Sequence, residues 1–196
     1  MSKVIDTYRR LATERKTLGF WIYLMTDVLL FATLFATYAV LHGGTANGPS
    51  SQEIFELPNV LVETFALLTS SFTVGLAILA ATDGRKKLSV FWLVVTFLLG
   101  VTFLVMELTE FHGLVVDGHS WTQSGFLSAF FTLVATHGAH ITVGLIWMVV
   151  MIIRVLQRNL KDTDVARLAL LSLFWHFLDI VWIFIFTFVY LIGSLS

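Results

Sequence analysis

From residue 18 onward the chain alternates long apolar runs with short polar interruptions. Five runs, at about 18–41, 59–82, 88–111, 125–154 and 168–192, contain no proline and exceed the ~20 residues a helix needs to cross a hydrocarbon layer of about 30 Å. Lipid offers no water to an open N–H or C=O, so segments of this kind close their hydrogen bonds within themselves as α-helices. The pattern predicts an all-α, polytopic bundle of five transmembrane helices forming a single domain at 18–196, preceded by a tail at 1–17. Pro58 suits the first turn of the second helix, where its missing N–H is not needed. The interruption DGRKK after Thr82 is short enough to force the second and third helices into a tight antiparallel hairpin.

Composition agrees with the pattern. The 196 residues are 57% hydrophobic and 13% charged, against about 25% charged in a typical soluble domain, and the mean hydropathy is +0.87. All 12 basic residues fall before the first helix (Lys3, Arg9, Arg10, Arg15, Lys16), between the second and third (Arg85, Lys86, Lys87), or around the link between the fourth and fifth (Arg154, Arg158, Lys161, Arg167). Because Lys and Arg in short loops stay in the cytoplasm, the expected topology has a cytoplasmic N-terminus and a periplasmic C-terminus. The first apolar run is too long for a cleaved signal peptide, so it is expected to remain as an anchor. Two forms of the tail fit its sequence, a short amphipathic helix on the inner leaflet and a solvated disordered segment. Nothing in the charge pattern suggests nucleic acid as a partner.

Eight ionisable side chains lie within the apolar runs: Asp27, Glu63, Glu107, Glu110, His137, His140, His176 and Asp179. When charged, such a group costs at least ~2.5–3.5 kcal/mol on insertion scales, so it is expected to face protein, water or a partner. At about 1.5 Å per residue, Asp27, His137 and Asp179 fall near the midplane and His176 nearer the cytoplasm. Glu63 falls nearer the outside, and Glu107 and Glu110 are expected as outer-interface acids in water. Asp27, Glu63, His137, His140, His176 and Asp179 are therefore the candidates for proton-related or lipid-related roles, or for a satisfied interior polar cluster. On the fourth helix Ser128, Thr132, Thr136, His140 and Gly144 recur every fourth position, a stripe that fits close helix approach with hydrogen bonds exchanged across helices. His176 and Asp179 stand three apart in an aromatic run, placed to share hydrogen bonds with each other or with His137 and His140.

The residue inventory argues against redox metal in this chain. Cysteine is absent, which removes iron–sulfur clusters, thiolate-ligated haem and sulfur-bridged copper. A bis-histidine haem needs ligands on opposite faces of the iron, which His137 and His140, three apart on one helix, do not supply, whereas His137 or His140 paired with His176 is geometrically possible. Glu-x-x-His pairs on facing helices, the di-metal bundle pattern, do not occur. No catalytic, cofactor-binding or metal-ligating residue is assigned.

Beside these observations stands a resemblance. The blocks GFWIYLMTDVLLFATLFATYAVL (19–41), FELPNVLVETFALLTSS (55–71), ELTEFH (107–112), SGFLSAFFTLVATHGAHITVGLIWM (124–148) and LSLFWHFLDIVWIFIFTFVYLIGS (171–194) resemble subunit III of the haem–copper terminal oxidases. Within that family they are most similar to the five-helix subunit III of bacterial cytochrome bo-type ubiquinol oxidases. The resemblance implies a non-catalytic accessory subunit of a proton-pumping complex in the bacterial inner membrane, with subunits I, II and IV and phospholipid as partners. It implies that haems and copper reside in subunit I, that ubiquinol is the substrate of the complex, and that this chain supports assembly, durability and proton uptake while oxygen is reduced to water. It also matches Asp27 to a membrane-embedded glutamate that reacts with carbodiimide in the seven-helix members, whose first two helices are missing here. The alternatives are subunit III of a cytochrome c oxidase, and a stand-alone membrane carrier or b-type cytochrome.

Overall fold

A computed structural model describes residues 2–42, 57–116, 118, 122, 124–157 and 160–195, with the side chains of 2–13, 57, 194 and 195 left aside. Five long helices dominate it: α1 (Ser2–Leu41), α2 (Leu57–Thr82), α3 (Lys86–Val116), α4 (Gly125–Gln157) and α5 (Asp162–Ile185). The described residues contain no strand, and each long helix is long and apolar enough to cross a membrane. The five-helix expectation stands. The outer link at 43–56 and Arg158 lie outside the described residues.

Local chemistry sets the helix ends. α2 stops at a Gly84 with φ of +73°, where the N–H of Arg85 donates to the Ala80 carbonyl and that of Gly84 to Ala81. This is the left-handed glycine cap that turns the chain sharply into α3. α4 starts after Ser124, whose hydroxyl accepts the Leu127 N–H at 3.1 Å, as an N-cap does. α5 begins six residues earlier than the apolar run suggests, with Asp162 and Asp164 in its first turn, where carboxylates complement the positive end of the helix dipole. The basic tail is no separate element, since α1 is one continuous 40-residue helix from Ser2.

The fifth span departs from regular α geometry. Residues Phe186–Leu191 form a π-helical segment, followed by the single turn α6 (Ile192–Leu195). The wider turn carries both Val189 and Tyr190 into the interior, each 0% exposed.

Helix neighbours follow from the buried stripes. α2 and α3 form the hairpin; α5 lies against α1, α2 and α4; α1 packs on α4 and α5. On α3 the inward residues Ser89, Leu93, Thr96, Gly100, Phe103 and Glu107 keep the alternating three- and four-residue spacing of a helix–helix seam. Ring contacts give the register of α1 against α4: Phe20 meets Trp147, Phe31 meets His137 and Tyr38 meets Phe126, an antiparallel pair. Much of the surface is apolar, with Leu29, Phe65, Phe72, Ile146 and Val40 among the exposed side chains, as lipid-facing helices require.

Candidate functional site

The polar side chains inside the bundle gather in two places. The first is the seam between α2 and α5, which is bonded rung by rung. The indole N–H of Trp182 donates to the Thr64 hydroxyl at 3.0 Å, that of Trp175 donates to the Ser70 hydroxyl at 2.8 Å, and Ser71 shares a 2.5 Å hydrogen bond with Nδ1 of His176. Thr73 and Thr96 extend the set to α3 at 2.8 Å. Asp179 sits within this seam, 4% exposed and against Ser71, without a hydrogen bond of ordinary geometry to either oxygen. His176 and Asp179 thus meet through Ser71, a residue the sequence did not single out.

Trp175 is also where two other helices approach closely. A Cβ on Gly100 of α3 would stand 2.9 Å from the Trp175 ring, and one on Gly144 of α4 would stand 2.9 Å from another ring atom. The two glycines let α3 and α4 close on one indole.

The second gathering is a carboxyl group cluster. Glu63 (1% exposed) of α2 and Glu107 (2% exposed) of α3 are buried with the Tyr190 ring, and Glu110 lies within electrostatic reach of all three. Glu107 packs on Gly138, where an added Cβ would be 2.9 Å from Oε1. The expectation of a wetted interfacial Glu107 differs from this placement. α3 continues to Val116, which leaves about two and a half turns of helix beyond Glu107, and the residue falls on the inward stripe. Glu110 is half-buried.

His137 is 0% exposed and enclosed by Trp182, Phe103 and Phe31, with ring centroids at 5.2, 5.8 and 6.4 Å. Neither of its ring nitrogens has a hydrogen bond among the described residues. His140 turns away from it. Its Nδ1 donates to the Thr136 carbonyl at 2.7 Å, and its Nε2 lies 3.8 Å from Oδ2 of Asp27 on α1. The pairing of Asp27 with His140 was not foreseen, because register between α1 and α4 is invisible in a single sequence.

The polar stripe of α4 behaves otherwise than expected. Thr132 donates to Ser128 O and Thr136 to Thr132 O within their own helix, so these two hydroxyls donate locally. Only Gly144 serves close approach. Among the described residues no three His, Asp or Glu side chains converge as metal ligands, and the aromatic rings around His137 do not fit an axial haem ligand.

Two apolar grooves lie along α1 and α5. One of about 450 Å³ is lined by Leu24, Val28, Phe31, His176, Phe177 and Ile180, and one of about 580 Å³ by Phe35, Tyr38, His42, Phe184, Phe188 and Gly193.

Fold and site together define a polytopic membrane protein whose interior polar groups gather in a hydrogen-bonded α2–α5 seam and a buried carboxyl cluster. The sequence profile of the family described as cytochrome c oxidase subunit III matches residues 7–194, and the chain belongs to that family. It is 57% identical, over 90% of its length and 85% of the relative's, to cytochrome bo(3) ubiquinol oxidase subunit 3 of Pseudomonas aeruginosa. The corresponding protein of Pseudomonas putida is 54% identical over 93% of this chain and 88% of that one. A probable quinol oxidase subunit 3 of Staphylococcus saprophyticus is 47% identical over 90% and 88%.

Proposed function

We propose that this chain is the accessory subunit III of a proton-pumping haem–copper ubiquinol oxidase that reduces oxygen to water in a bacterial inner membrane. In this reading subunit I carries the haems and copper, subunits II and IV complete the complex, and the present chain holds no catalytic centre. Its N-terminus lies in the cytoplasm and its C-terminus in the periplasm, with the basic end of the bundle inside. The observation that carries the proposal is the similarity to relatives named ubiquinol oxidase subunit 3 over nearly the whole chain.

The work of the chain is then mechanical and electrostatic. The α2–α5 seam and the glycine-clasped Trp175 make a stiff bundle, and a stiff bundle fixes the face presented to subunit I. The apolar grooves beside α1 take phospholipid acyl chains. Asp27, buried beside His140, together with Glu63, His137, His140, His176 and Asp179, are the candidates for supporting proton uptake.

The matched family's description favours a second reading, subunit III of a cytochrome c oxidase. The experiment that separates the two is oxygen uptake by the complex purified through this chain, driven by ubiquinol or by reduced cytochrome c. Ubiquinol is expected to sustain turnover and cytochrome c is not; the reverse result would move the chain to the cytochrome c branch.

A further inference from the structure

The α2–α5 seam uses only one nitrogen of His176. Its Nδ1 is held by Ser71 at 2.5 Å, while among the described residues nothing bonds to Nε2. The half-buried ring lines the groove of about 450 Å³ between α1 and α5, and it is the one ionisable side chain on that lining. The other walls are aromatic or aliphatic, among them Trp21, Phe31, Phe35, Phe177 and Phe184. Phe31 meets Phe177 and Phe35 meets Phe184, each pair at 6.3 Å, so rings from both helices close on each other along the groove. A cavity of this size with aromatic walls and a single placed polar group is the usual form of a small-molecule site.

Depth decides the class of ligand. The fifth span runs Asp162–Leu191, and His176 stands at its middle; measured on the apolar run 168–192 alone, it is about 6 Å from the centre. The ester and phosphate groups of a phospholipid begin about 15 Å from the middle of a ~30 Å hydrocarbon layer. An acyl chain can lie in the groove, but it brings no polar atom to Nε2. A quinone does, because its ring carries two oxygens on an otherwise apolar molecule that dissolves in the hydrocarbon. The imidazole suits both redox forms. With Ser71 donating to Nδ1, the Nε2–H donates to a quinone carbonyl; in the other tautomer Nε2 accepts from a quinol hydroxyl. The tail has a path as well. The groove shares Ala32, Phe35 and Phe184 with the second groove of about 580 Å³, so the two make one continuous apolar trough for an isoprenoid chain.

We propose that His176 and the aromatic groove between α1 and α5 bind the ring of a membrane benzoquinone or its quinol, with the isoprenoid tail in the adjoining groove. The site rests on the oxidase reading only for the presence of quinol as the ligand at hand.

The test uses the full chain in the purified complex, held in nanodiscs of phosphatidylcholine and photolabelled with an azido-ubiquinone carrying a decyl tail. Peptide mass spectrometry locates the label, which is expected within 21–35 or 173–184 of this chain and is competed by unlabelled decylubiquinone. Two variants approach the site from different sides. His176→Phe removes the nitrogen, and Val28→Trp, on the α1 lining and outside the α2–α5 seam, fills the groove. Labelling of this chain is expected to fall about fivefold in His176→Phe, for the loss of one hydrogen bond, and to vanish in Val28→Trp, which decides the matter where His176→Phe does not assemble. Unchanged labelling in Val28→Trp would overturn the site. Competition by dodecane as strong as by decylubiquinone would also overturn it, as a groove for hydrocarbon alone, and so would absence of label in the complex, as a groove covered by a partner helix. A complex that turns over on reduced cytochrome c and not on ubiquinol counts against the oxidase reading; the labelled positions are read without turnover and stand on their own.

Discussion

The indole N–H of Trp175 donates to the Ser70 hydroxyl across 2.8 Å, one of three such bonds that join the central helix α5 to α2, while the far edge of the ring presses on two glycines. Removing the acceptor leaves a fully buried N–H without a partner. Ser70→Ala is expected to destabilise the bundle by about 1–2 kcal/mol, measured as the shift in unfolding midpoint in mixed detergent micelles. Ser71→Ala, whose partner His176 is only half-buried, is expected to cost less, nearer the ~0.6 kcal/mol average for hydrogen bonds between membrane helices. Equal effects of the two substitutions would argue against a specific role for Trp175.

The clasp itself is testable from the other side. Gly100 and Gly144 approach adjacent edges of one rigid ring, so both helices crowd the same end of the indole. Gly100→Ala and Gly144→Ala are each expected to cost about 1–3 kcal/mol through overpacking. Thermal unfolding of the purified chain checks this, and a variant as stable as the parent would show that the helices separate more easily than the geometry requires.

Gly138 and Glu107 are coupled by contact. In Gly138→Ala the new methyl displaces the Glu107 carboxyl group, a cost expected to shrink when Glu107 is itself alanine. A double-mutant cycle should show a coupling energy of about 0.5–3 kcal/mol, and strict additivity would place the Glu107 side chain elsewhere.

His176 and Asp179 belong to the α2–α5 seam, in reach of Ser71. Alanine at either position is expected to lower the yield of assembled complex and shorten its working life, with the haem spectrum per assembled complex unchanged. Immunoblot of subunit ratios alongside optical spectra measures both quantities. Loss of a haem signal while subunit I remains present would contradict the assignment.

Much of this architecture was open to view in the chain itself, and the reasons for the exceptions are physical. Five spans and their approximate ends follow from the length of apolar runs, which lipid enforces residue by residue. The tight α2–α3 turn follows from the shortness of DGRKK. What a single sequence does not carry is register between helices, so the Asp27–His140 approach, the Ser71 contact with His176 and the clasp on Trp175 emerge only when the helices are set side by side. Glu107 shows the same limit in depth. Its distance from the water depends on how far α3 runs past the apolar segment, and Leu114, Val115 and Val116 prolong the helix after a polar stretch that looks like an end. The π-helical segment at Phe186–Leu191 leaves no mark in composition, because a run of Phe, Val, Tyr and Leu packs in either turn. The threonines of α4 misled in another way, since a hydroxyl that donates to its own helix has the same spacing as one that bridges two.

One measurement bears on the whole account: optical spectra of this chain purified alone and of the assembly it brings down from native membranes through an affinity tag. The account predicts no Soret band from the isolated chain and a haem-bearing, quinol-driven oxidase from the assembly. A stoichiometric Soret band in the isolated chain, or an assembly without haem, would contradict it.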